Sequence, residues 1–284
     1  MFRMMQPNDN SIQWFHTQTT PKINGVALVV HGLNLKPDKM GSVITGLMDS
    51  GIDALNLSLR GHGNNYSRER NISEAKARIR SFKTVSHGLW MDETHRAYRI
   101  ARKRSEAKGA PLFFVGYSLG GLMGADLLTS YQDVRFDRMV LLAPALNLYV
   151  THYFMKLLFP FPRLVIPNLF LKFYRANYGT PVAAFNSLFE ALDHFKQNVS
   201  PKLNIPTLVF IDRQDELVSY RELKRLIENE WLDQWRFHPI QKGKSGAKVR
   251  MRHLIIDEPS VGKEIWHEMR IAMMKHLLHK SEPL

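Results

Sequence analysis

Short apolar runs punctuate this chain at intervals that suit a layered α/β fold. Val26–His31 (VALVVH), Pro111–Val115 (PLFFV), Met139–Ala143 (MVLLA) and Thr207–Ile211 (TLVFI) are nearly continuous in hydrophobic residues and stop at glycine, proline or aspartate. Such runs lack the in-out alternation of a half-exposed strand and predict strands buried on both faces of a parallel sheet. Ile52–Leu59 and Trp235–Ile240 predict two more strands. Between them the period lengthens. His87–Lys108 sets Leu89, Trp90, Tyr98, Ile100 and Ala101 among many charges, as an amphipathic helix over a sheet does. Helical patterns also fill the stretch between the first two strands, Gly120–Ser130, Ser219–Glu230 and Gly262–Leu278. Strands alternating with helices in this way predict an α/β fold with a doubly wound, mainly parallel sheet.

One interval breaks the alternation. Between Ala143 and Thr207 lies far more chain than a normal connection of ~2 to 6 residues plus one helix requires. We read residues 144–200 as a helical cap insertion, rich in prolines and in aromatics such as Tyr149, Tyr153, Phe154, Phe159 and Phe161. Residues 1–143 and 201–284 then form the core domain. The most apolar stretch, Leu157–Leu171, is interrupted by Pro160, Pro162, Arg163 and Pro167, so it falls short of the ~18 unbroken residues of a membrane span. Lys242–Lys248 (KGKSGAK) is expected to be a mobile surface loop.

Composition narrows the reading. The 284 residues are 44% hydrophobic and 23% charged, which is ordinary for a globular protein. The absence of cysteine excludes disulfides, thiolate metal sites and redox chemistry at sulfur. Met1–Asn10 lacks the apolar stretch of a secretory signal, so a cytoplasmic location is expected. The net charge of +13 comes in bursts at Arg68–Lys83, Arg96–Lys108 and Lys242–Arg252, on segments that read as a solvated face. A minority reading draws the protein to anionic phospholipid, at the periphery of the inner membrane, each charge adding ~1 kcal/mol. Nucleic acid is not an expected partner, because no basic strand interleaved with aromatics appears.

The chemistry concentrates at Gly116-Tyr117-Ser118-Leu119-Gly120, a G-x-S-x-G pattern between a predicted strand and a predicted helix. A strand that turns sharply into a helix crowds its own backbone, so small residues flank the turn while the Ser118 hydroxyl is thrust outward. The amide of Leu119 then lies at a helix N-terminus, where unpaired donors favour an anion. His31-Gly32-Leu33-Asn34 follows the first strong strand, and Gly32 lets the Leu33 amide turn toward the same point. Two donors preset for a tetrahedral oxyanion would each lower the barrier by ~3 to 4 kcal/mol.

His31-Gly32, Arg60-Gly61-His62-Gly63 and Gly116-Tyr117-Ser118-Leu119-Gly120-Gly121, in this order, resemble the α/β-hydrolase superfamily over nearly the whole chain, and most its monoacylglycerol lipase and lysophospholipase branch. Asn34 stands where that branch often has a second glycine, and Ser58 where an aspartate often precedes the RGHG turn. The resemblance implies Ser118 as nucleophile, Leu33 and Leu119 as the oxyanion hole, and a chain order of serine, acid, histidine. It aligns Asp215 with the acid of a G-x-x-D-x-x-V pattern. Asp212 and Glu216 stay open as alternatives, and any of the three carboxylates could instead cap the helix that follows. His253 is the expected base. His267 lies inside the last helix, His276 and His279 at its basic end, and His62 reads as a structural or pocket-wall residue.

These expectations describe a serine hydrolase that cleaves carboxylic esters, monoacylglycerols or lysophospholipids among them, through an acyl-enzyme, with no metal and no organic cofactor. Its substrate would lie against His31, Tyr117, Tyr149, Tyr153 and Phe154. The same residues admit peptide, thioester or carbon–carbon cleavage, or a catalytically silent module that only holds an apolar ligand.

Overall fold

We describe a computed structural model covering residues 11–18, 22–168, 171–242 and 246–279. Met1–Asn10 and the middle of Lys242–Lys248 lie outside the described residues. The chain opens with β1 (Ile12–Phe15) and β2 (Gly25–Val30), followed by α1 (Gly41–Asp49), β3 (Ile52–Leu57), α2 (Glu74–Phe82) and α3 (His87–Lys108). Next come β4 (Leu112–Tyr117), α4 (Leu119–Ser130) and β5 (Arg138–Leu142). After β5 lie a 3-10 stretch at Val150–Leu158, a ribbon of β6 (Val165–Pro167) and β7 (Gly179–Pro181), and α5 (Val182–Asn198). The chain ends with β8 (Thr207–Asp212), α6 (Tyr220–Asn229), β9 (Trp235–Ile240), α7 (Glu258–Val261) and α8 (Lys263–Leu278).

Seven strands form one sheet in the order β1-β3-β2-β4-β5-β8-β9. All neighbours are parallel except β1, which runs antiparallel to β3 at the edge. Every residue of β2, β3, β4 and β8 is buried, which is why these strands carry no alternation in sequence. The two-residue period survives in three dimensions. Val26, Leu28 and Val30 enter one core with α3, α4, α5 and α6, whereas Ala27 and Val29 enter a second core with α1 and α8. The doubly wound sheet is therefore the fold observed.

The path of the chain places a crevice. β2 leads to α1 on one face and β4 leads to α4 on the other, although β2 and β4 are paired neighbours. Connections that leave adjacent strands toward opposite faces open a gap at the carboxyl ends, where doubly wound folds bind ligands.

The segment after β5 differs from a set of short helices. Among the described residues it holds only the 3-10 stretch and the β6–β7 ribbon before α5, and α5 buries Ala184, Leu188, Ala191, Leu192 and Phe195 in the core shared with α3 and α4. No helix among the described residues is long and apolar enough to cross a membrane.

Candidate active site

Ser118 is the hinge between β4 and α4, with φ 52° and ψ −114°, a conformation that L-residues avoid and that is retained where the surroundings enforce it. The surroundings here are backbone. A Cβ on Gly120 would lie 2.1 Å from the Val30 carbonyl oxygen, so the helix can start this close to β2 only with glycine there. The strained turn leaves the serine hydroxyl facing the crevice.

There it meets two side chains from distant loops. Ser118 Oγ lies 2.8 Å from His253 Nε2, in line to donate to it, and His253 Nδ1 donates to Asp215 Oδ2 at 2.8 Å. Asp215 Oδ1 accepts from the amides of Leu217 and Val218 at 2.8 and 2.9 Å, which fixes the carboxylate in the turn after β8. All three side chains are buried.

The neighbouring carboxylates do other work. Glu216 accepts from the backbone amides of Arg252 and His253 at 2.8 and 3.0 Å, holding the histidine's main chain while Asp215 holds its ring. Asp212 accepts from the amides of Gln214 and Lys242. None of the three caps α6, because Ser219 does, accepting from the Glu222 amide. Lys242, the first residue of the expected mobile loop, is anchored and buried: its ammonium donates to the carbonyls of Met251 and Leu254 on either side of His253. Burial brings its pKa down to about 8. Sequence gave no sign of this brace, because basic residues near a glycine-rich loop usually face water.

The loop after β2 is held by two histidines. His62 Nδ1 faces the Leu59 and Arg60 carbonyls, leaving Nε2 to accept the Asn34 amide at 2.8 Å. His31 Nδ1 donates to the Gly32 carbonyl and Nε2 accepts the Leu59 amide. Asn34 itself sits at φ 53°, the left-handed region where asparagine is the usual substitute for glycine, which accounts for its place in a glycine position. Its side chain accepts from the Asn177 amide at 2.8 Å and donates to Thr180 Oγ1 at 3.0 Å, joining the loop to the segment before α5. Leu33, between these fixed residues, borders the crevice, and Leu119 is the first residue of α4, whose amide has no acceptor inside its own helix.

Burial lowers the pKa of His31 to about 4 and that of His62 well below its ordinary value of 6.5. Between pH 6.5 and about 4 the unfolded chain takes up protons at these imidazoles that the fold refuses, so stability falls as the pH falls. For His31 the loss approaches about 3 kcal/mol at the lower end. Thermal scans between pH 7 and 4.5 are expected to show a steadily decreasing Tm. A Tm that holds constant would mean that these imidazoles accept protons inside the fold.

Above Ser118 lies a largely apolar cavity of about 580 Å³, within the ~300 to 1,000 Å³ of small-ligand sites. Tyr117 lines it, whereas His31, Tyr149, Tyr153 and Phe154 do not. His31 is sealed beneath the Leu33 loop. Phe154 is 72% exposed and Tyr149 37%, both on the outer side of the 3-10 stretch, while Tyr153 packs behind the wall on Phe189 with ring centroids 5.1 Å apart. The cavity instead receives Leu148, His152 and Met155, spaced four and three apart on the inner side, and Phe185, Leu188 and Phe189 from α5. Sequence supplied the aromatic richness but not which side of the winding faces inward.

Residues 21–180 match the family model described as serine aminopeptidase, S33. The chain belongs to this family. Within the S33 family match lie the Leu33 loop and the Ser118 elbow; Asp215 and His253 lie beyond it, and only the geometry above joins them to the serine. No curated protein matches the sequence. Among solved structures, a soluble variant of monoglyceride lipase from Saccharomyces cerevisiae superposes with a TM-score of 0.73 at 15% identity, covering 94% of this chain and 90% of that one. A monoacylglycerol lipase from Paleococcus ferrophilus gives 0.68 at 17% identity, covering 98% and 100%. A metagenome-derived lipolytic enzyme gives 0.69 at 17%, covering 95% and 99%. At these identities the shared property is the fold, so this S33 member has the α/β-hydrolase fold.

Proposed function

We propose that this protein is a serine hydrolase of carboxylic esters carrying a single acyl chain. The observation that supports this most is the 2.8 Å contact of Ser118 Oγ with an imidazole whose other nitrogen is held by a buried carboxylate, at the floor of an apolar cavity. In this reading Ser118 Oγ attacks the ester carbonyl carbon as His253 Nε2 takes its proton, and the carbonyl oxygen, now negative, is held by the Leu33 and Leu119 amides. His253 returns the proton to the departing alcohol, and the acyl-enzyme remains. Water, deprotonated by the same imidazole, then releases the acid and restores the serine. Asp215 keeps the proton of His253 on Nδ1 and supports the positive imidazolium. The stretch from 144 to 200 serves as the cap whose inner side receives the acyl chain.

The family's description raises a peptide-cleaving reading. An aminopeptidase needs a free carboxylate for the substrate's ammonium group, and Glu216 is the one carboxylate lining the cavity among the described residues. Each of its oxygens already accepts one backbone amide, from Arg252 and from His253, so a substrate ammonium would have to share the carboxylate that holds the His253 main chain. The ester reading is therefore favoured, and the likeness in fold to monoglyceride and monoacylglycerol lipases points the same way.

A panel of p-nitrophenyl esters and 1-monoacylglycerols of graded length, run beside aminoacyl p-nitroanilides, tests this. Each methylene that enters the cavity is worth about 0.8 kcal/mol, so kcat/KM should rise roughly fourfold per added carbon until the chain fills it. Turnover of the anilides in preference to every ester, or no turnover of any ester, would reject the proposal.

A further inference from the structure

The proposed chemistry leaves unexplained a second polar cluster two turns along α4. Asp126 is fully buried there, yet among the described residues its charged-group partners are two histidines and no lysine or arginine. His87, at the start of α3, places Nε2 2.7 Å from Asp126 Oδ2. His194, on α5, places Nδ1 2.7 Å from Asp126 Oδ1. The two imidazole rings lie 4.9 Å apart, and one donor atom from each of the three residues falls within 4.8 Å of the others. Ser130 Oγ adds a contact to Asp126 Oδ1 at 3.3 Å.

A buried carboxylate is costly unless its charge is compensated, and no lysine or arginine faces Asp126 among the described residues. A divalent cation would supply that compensation. We propose that His87, Asp126 and His194 form a binding site for a zinc-class divalent transition ion. Two imidazole nitrogens and one carboxylate oxygen make a donor set that suits zinc, with water in the fourth position. Ligand atoms around a tetrahedral ion at 2.0 to 2.1 Å stand about 3.3 Å apart, so the imidazole that faces the ligating oxygen must open by about half an ångström, while the other imidazole, now on the second oxygen, draws in from within 4.8 Å. His194, with a side chain 40% exposed, has room to do so and gives the ion a way in, whereas His87 is 15% exposed and fixed at its helix start.

The ligands come from three helices. α4 begins directly after Ser118, and α5 carries Phe185, Leu188 and Phe189 into the cavity wall. A bound ion therefore staples the cavity-wall helix to the helix that follows the serine. The site is independent of the ester-hydrolysing reading and stands or falls without it.

The test uses the full chain, free of any histidine tag and stripped with EDTA. Titration with ZnCl₂ followed by calorimetry is expected to show one ion per chain, and CoCl₂ is expected to give the visible d–d absorption of a four-coordinate centre. Zinc at a hundredfold excess over Kd should raise Tm by roughly 5 °C. His194→Ala and His87→Ala should each weaken binding by more than about tenfold, the loss that even an outer-shell partner brings. Because His194 is partly exposed, His194→Ala keeps the test valid if the variant at His87 or Asp126 fails to fold. No stoichiometric binding, or binding that both histidine variants leave unchanged, would overturn the proposal and leave the three residues as a hydrogen-bonded clasp between helices.

Discussion

Ser118→Ala is expected to lower kcat on the best ester of the panel by about 10⁶-fold, the loss found when a serine nucleophile is deleted from an intact relay. The substitution removes one oxygen and its bond to His253 Nε2. Alanine inherits the same φ of 52°, so the elbow's strain is unchanged and Tm should move by no more than about a degree or two. Residual catalysis of about 10³-fold over water would persist if the Leu33 and Leu119 amides still hold the oxyanion. A fluorophosphonate probe should label the parent chain at Ser118 and leave the variant unlabelled. Retained turnover in the variant would place the chemistry elsewhere; a parent chain that neither labels nor turns over ester would make the cavity a mere holder of apolar ligands.

The second large effect concerns Asp215, the proposed acid. Asp215→Asn should reduce kcat by about 10⁴-fold while preserving the fold. An amide can turn its nitrogen toward His253 Nδ1, which then becomes the acceptor and shifts the ring proton to Nε2, where it blocks uptake of the serine proton. Glu216→Gln and Asp212→Asn, one and three positions away, should each cost far less in kcat, about tenfold or below, because they contact backbone amides and not the imidazole ring. Their effect should fall on Tm instead. A deficit in Asp212→Asn larger than that in Asp215→Asn would exchange the two roles.

The contrast among these three carboxylates shows where sequence reading runs out. Asp212, Asp215 and Glu216 lie within five residues, and propensity assigns all of them to one turn. What separates them is the direction each takes once β8 ends, and that depends on Lys242, Arg252 and His253, 30 to 38 residues downstream. The sheet was legible because burial on both faces imposes a hydrophobic run that few other structures need. The elbow was legible because its steric demands are local. β1 escaped notice, since four residues are too few to display a period. The inner wall of the cavity escaped for a different reason. A stretch in which Leu148 and Tyr149 are both apolar says nothing about which one faces solvent, and the choice is settled by packing against α5. His87, Asp126 and His194 were invisible as a group, being joined only by the way α3, α4 and α5 lie together.

The pairing of Val30 with Gly116 in adjacent parallel strands has a mechanical corollary. Leu33 and Leu119 each sit three residues beyond a member of that pair, so the ladder between β2 and β4 keeps both amides level across the mouth of the crevice. Sliding one past the other would require breaking the central rungs of the sheet. The imidazole has no such rail: it hangs from a loop secured by Glu216 and Lys242. Under heat or denaturant, the pair of amides proposed to hold the oxyanion should outlast the imidazole proposed to move protons, so hydrogen exchange should open the His253 loop before the ends of β2 and β4.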